Sequence, residues 1–76
     1  MTVDDVKALL NVTFPDAQIA VEGEGAKFAV SIVAEAFNGL RPVPRQQMVY
    51  AVLNDHIASG EIHAVSMKLQ SPSEVS

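Results

Sequence analysis

The chain has 76 residues, 49% of them apolar, and nine acidic against five basic side chains give it a formal charge of −4. A chain of this length holds one domain and buries about 60% of the surface its unfolded form exposes, and it is too apolar to be disordered. With no cysteine, disulfides, thiolate zinc sites and cysteine nucleophiles are excluded, and the acidic balance argues against strong non-specific nucleic-acid binding, which clustered Lys and Arg drive.

A first helix is expected over residues 1–13. Thr2 with Asp5 approximates a capping box, and Val3, Val6, Leu9 and Leu10 recur on one helical face. The Phe14-Pro15-Asp16 turn signal ends it. A hairpin is expected over residues 18–34. Ile19 and Val21 share one side of its first strand, and Phe28, Val30 and Ile32 share one side of its second. The Gly23-Glu24-Gly25-Ala26 segment between them supplies the turn, with both glycines expected at positive φ. It leads into a strand, and no Lys-Ser pair follows, so it is not a phosphate-cradling loop.

Residues 35–60 read as a short turn or strand exit followed by a second long helix. Asn38-Gly39 breaks the chain, and Pro44 is expected at the first helical position. Val49, Val52, Leu53 and Ile57 form the apolar stripe, and Gly60 is the natural residue just past the end. Residues 61–70 are expected to be a strand, with His63 on the same side as Val65, Met67 and Leu69, and residues 71–76 a polar tail. A three-stranded sheet with the helices on one face buries these stripes most simply, which makes the fold an α+β two-layer sandwich.

Residues 1–7 carry two aspartates and no basic cluster, so a secretory leader is not expected. The apolar runs fall far short of the roughly 20 residues that span a bilayer, and a cytoplasmic location is expected. Catalysis is poorly supported, because the acids are scattered and no nucleophile stands beside a base, so a non-enzymatic chain is expected. Of the two histidines, His56 reads as a structural residue near a helix C-terminus. His63 alternates between a structural residue and a metal ligand at an accessible strand start. Arg41 and Arg45 are the candidate basic pair, with a solvated helix entrance as the plainer reading.

Several segments together resemble the BolA-like family, with most similarity to its IbaG-like, acid-stress branch. They are Gly23-Glu24-Gly25-Ala26-Lys27-Phe28, Phe37-Asn38-Gly39-Leu40, Val43-Pro44-Arg45-Gln46-Gln47-Met48-Val49-Tyr50 and Ile62-His63-Ala64-Val65-Ser66-Met67-Lys68. The resemblance implies a fold similar to a type II KH domain and a monothiol glutaredoxin as partner, with or without a shared two-iron, two-sulfur cluster. It further implies a stress-response adaptor, a monomer or weak homodimer, in which His63 is the cluster-facing metal ligand beside a glutaredoxin cysteine and its bound glutathione. A second ligand, His or Cys, usually comes from the loop matched here by Gly23, Glu24, Gly25, Ala26 and Lys27, which holds neither. Lys27 is a poor iron ligand and a Glu24 carboxylate suits harder ions, so weak cluster binding through His63 or a cluster-free complex is expected. The alternative that the family suggests is a nucleic-acid-binding transcriptional regulator. It would read through the helix-turn-helix-like segment, with Arg41, Arg45, Gln46, Gln47, Tyr50 and Lys68 as its contacts. No Gly-x-x-Gly clamp accompanies that segment.

Overall fold

The computed structural model describes residues 1–75. Among them run, in chain order, α1 (Val3–Thr13), β1 (Gln18–Glu24), β2 (Lys27–Val33), a short 3-10 helix (Glu35–Phe37), α2 (Pro42–Ala58), β3 (Ala64–Gln70) and α3 (Pro72–Val75). The expected capping box starts α1: Asp5 N–H donates to Thr2 Oγ1 at 3.1 Å, and Thr2 N–H donates to Asp5 Oδ2 at 2.8 Å. Val6 and Leu10 then point inward and are fully buried.

The sheet has the order β1-β2-β3, with β1 and β2 antiparallel and β2 and β3 parallel. Parallel neighbours need a crossover, and α2 provides it. The register sets apolar residues in rows across the strands: Ile19, Ile32 and Leu69 in one, Val21, Val30 and Met67 in the next, Gly23, Phe28 and Val65 in the third. Both long helices cover this face, where Phe28, Val30 and Ile32 join Leu10, Val49, Leu53 and Ile62 in the core. The opposite face, with Ala20, Ala29, Ser31, Ser66 and Lys68, is exposed. This is the expected α+β two-layer sandwich.

The hairpin turn is tighter than the glycine run suggests. Glu24 pairs with Lys27, so only Gly25 and Ala26 lie between the strands, and Gly25 alone of the two loop glycines has a positive φ, 62°. Gly23 belongs to β1 and serves a different need. A Cβ there would sit 2.6 Å from Phe28 Cδ1 and 2.8 Å from Lys27 O, so the side chain is absent because the core ring lies across the strand.

Three further expectations shift. Helix α2 begins two residues early, with Arg41 as its N-cap and Pro42, not Pro44, at the first position; Pro44 is tolerated in the same turn, where amides lack helical partners. Strand β3 begins at Ala64, which leaves residues 61–63 as an irregular link, so strand parity does not govern His63. The polar tail holds α3. Ser71 N–H donates to Glu74 Oε1 at 2.7 Å, and Ser71 is almost fully buried. A Ser with Glu three places on and Pro in the first helical position is a legible helix start. Ser76, the last residue of the expected tail, lies outside the described residues.

Candidate functional site

His63 occupies a backbone position held from both sides. On one side Ile62 is buried at 1% exposure, and its N–H donates to the His56 carbonyl at 3.0 Å. On the other, His63 N–H donates to the Ala26 carbonyl at 2.8 Å, tying the residue to the hairpin turn. Ala64 N–H shares the same acceptor at 3.4 Å. Its side chain, in contrast, is exposed and has no hydrogen-bond or ion-pair partner among the described residues. The fold thus fixes the main chain and leaves the imidazole free.

The Ala26 contact brings together two segments that the sequence keeps far apart, His63 and the loop 23–27. Lys27 is the sheet partner of Ala64, the residue after His63, and Glu24 is the partner of Lys27. The side chains this loop offers are one ammonium and one carboxylate, both exposed. No cluster of three or more His, Cys, Asp or Glu able to hold a metal occurs among the described residues. An imidazole alone is a single borderline-soft donor, so a metal or cluster bound here needs most of its ligands from another molecule.

Of the other expected contact residues, Arg45 reaches Leu69 near the far end of β3, about 20 Å along the strand from His63 at 3.3 Å per residue. Arg45 is not a free cation. Its Nε donates to the Leu40 carbonyl at 2.9 Å and its Nη1 to the Leu69 carbonyl at 3.0 Å. Nη1 also lies 2.7 Å from Glu74 Oε1, and the guanidinium stands 5.9 Å from the Phe37 ring centroid. Only 11% of the side chain is exposed, and it joins the start of α2, the edge of β3 and α3. Arg41, Gln46, Gln47 and Tyr50 are exposed on or beside α2, and Lys68 is exposed on the open sheet face.

The link that presents His63 is braced by a network the sequence reading missed. His56 Nδ1 lies 3.0 Å from Glu61 Oε1, and Ser59 Oγ lies 3.0 Å from that oxygen and 3.0 Å from the His56 carbonyl. The hydrogen bond from His56, then that from Ser59, holds the Glu61 carboxyl below the ordinary carboxylate range. A His five residues before a Glu, across a Ser-Gly helix end, is the available signal, and it is weak. Elsewhere, the Ser71 amide and then Arg45 lower the Glu74 carboxyl in the same direction.

The family model described as BolA-like protein matches residues 4–74. The chain is 49% identical over 74 residues, 97% of its length and 89% of the relative's, to an uncharacterized protein from the rpoN-murA intergenic region of Acinetobacter guillouiae. It is 36% identical, over 97% of its length and 88% of the relative's, to the acid stress protein IbaG of Escherichia coli K12. Among solved structures, the BolA domain of SufE1 from Arabidopsis thaliana superposes with a TM-score of 0.85, at 26% identity over 93% of this chain and 92% of that one.

Proposed function

The chain belongs to the BolA-like protein family, and from that membership we propose that it is a non-enzymatic adaptor in iron–sulfur cluster handling that docks to a monothiol glutaredoxin. His63 is the residue that faces the shared two-iron, two-sulfur cluster. The observation that carries this reading is the free, exposed imidazole on a main chain pinned at 2.8 Å to the hairpin turn. An imidazole is a competent iron ligand, and one that is exposed on a fixed main chain is accessible to a cluster brought by another molecule.

The residues present fit one ligand and not two. His63 suits the cluster, while Lys27 and Glu24 supply no soft donor. This chain therefore contributes a single imidazole, and the glutaredoxin cysteine with bound glutathione contributes the sulfur side. Cluster sharing through this single imidazole is accordingly weak.

The nucleic-acid reading is less well supported. Of the two arginines it relies on, Arg45 spends its donors inside the fold. What remains on an acidic chain is Arg41 and Lys68, too few phosphate contacts for strong binding.

The test is a titration of cluster-loaded monothiol glutaredoxin with this protein, followed by visible circular dichroism, with His63→Ala in parallel. Because His63 is exposed and held by its backbone, the variant stays folded within about 0.5 kcal/mol. The expected result is a new visible spectrum that His63→Ala fails to produce. Complex formation by calorimetry with no spectral change in either protein would remove the cluster role and leave a cluster-free adaptor. No binding at all would sink the glutaredoxin reading.

A further inference from the structure

One side of β3 has no hydrogen-bonding neighbour. Ala64 N–H donates to the Ala26 carbonyl, and the Gln70 carbonyl accepts from Ala34 N–H, so the even-numbered residues of β3 direct their main-chain groups at β2. The groups of Val65, Met67 and Leu69 therefore point off the edge of the sheet. Arg45 Nη1 seals one of them, the Leu69 carbonyl. The remaining amides and carbonyls at this edge have no partner among the described residues.

The surroundings of that edge are specific about what pairs with it. On the helical side, Met67 and Leu69 line a hollow of about 180 Å³ with Pro42, Arg45 and Gln46. Tyr50, four residues beyond Gln46, continues the same flank of α2 and is 38% exposed. On the open side, Lys68 is the only charge along β3, and no acidic residue occurs from Leu40 to Asn54. In a chain where acids outnumber bases, this strip carries Arg41, Arg45 and Lys68, and its nearest carboxylate, Glu74, is already held by Arg45.

We propose that the β3 edge is a strand-addition site for an extended segment of a partner protein that alternates apolar and acidic residues. The unpaired backbone groups select an extended chain, because only a strand presents donors and acceptors at matching intervals. Strand alternation then decides the side chains. Apolar residues fall over the hollow beside Met67 and Leu69, and their acidic neighbours fall on the open side next to Lys68. The inference goes beyond the glutaredoxin reading and does not depend on His63 or on a cluster.

The test is an amide NMR titration of the full chain with the blocked peptide acetyl-Glu-Leu-Glu-Val-Glu-Leu-Glu-amide. Two further peptides carry N-methyl groups, one on the Leu and Val amides, the other on the Glu amides. An added strand turns only one of its edges to β3, so saturable shifts at the Val65, Met67 and Leu69 amides are expected with the parent and with one methylated peptide, and are lost with the other. Lys68→Glu is expected to weaken the parent peptide about two- to fivefold, the range of one exposed ion pair. Absence of saturable shifts at these amides at millimolar peptide would overturn the proposal, as would equal binding of both methylated peptides. A thymidine decamer that shifts the same amides while the peptide does not would assign the edge to nucleic acid instead.

Discussion

Replacing Arg45 by Met separates a structural task from a binding one. The substitution keeps most of the apolar stem beside Phe37 and removes the guanidinium, leaving the Leu40 and Leu69 carbonyls without the donors that now reach them at 2.9 and 3.0 Å. Hydrogen bonds from a charged donor contribute about 1.5 kcal/mol or more each, so the two together come to about 3 kcal/mol. The ion pair to Glu74 is left out of that sum, because its carboxylate is half-exposed and solvent screens it. For a domain of this size about 3 kcal/mol corresponds to a fall in Tm of roughly 12–24 °C. The assay is urea unfolding followed by far-ultraviolet circular dichroism, with Arg45→Lys beside it. A lysine has no planar fork to reach both carbonyls, so it is expected to recover only part of the loss. A loss under about 1 kcal/mol for Arg45→Met, coupled with abolished partner binding, would refute the structural assignment and return Arg45 to the interface.

Two other outcomes follow from the geometry. Gly23→Ala drives a methyl into the Phe28 ring and the Lys27 carbonyl, and overpacking of this kind is expected to cost about 1–3 kcal/mol in the same unfolding assay; a neutral result would show that β1 shifts freely at its end. The carboxyls of Asp5, Glu61 and Glu74 are all held below their ordinary range, chiefly by the Thr2 amide, the His56 side chain and the Ser71 amide respectively. Folding stability from these groups is therefore fully present above the unfolded carboxylate pKa and is lost as pH falls through the lowered folded values, because the unfolded chain there binds more protons. Urea midpoints are expected to decline with acidification through the carboxylate range, and Glu74→Gln to decline less steeply; parallel curves would mean that Glu74 makes no contribution.

Much of the fold was legible because its signals are local. The Thr2 and Asp5 capping box, the alternation of Phe28, Val30 and Ile32, and Gly60 past the end of α2 each depend on neighbours within a turn or a strand. The errors lay where a distant residue decides. Gly23 resembles a loop glycine until Phe28 is seen beside it, and Arg45 resembles a surface cation until Leu69, Phe37 and Glu74 close around it. The α3 start, in contrast, is a local signal, carried by Ser71 and Glu74 three residues apart.

The candidate site divides in the same way. Family resemblance alone marked His63 and the loop without His or Cys as the pair that matters, and composition alone removed every thiol ligand. Only the tertiary structure determined that the two meet through the Ala26 carbonyl, that the imidazole stays free, and that β3 lies parallel to β2 with an open edge. The physical reason is that apolar periodicity selects which face of a strand is buried, whereas strand order and direction are settled by how the whole chain closes around one core.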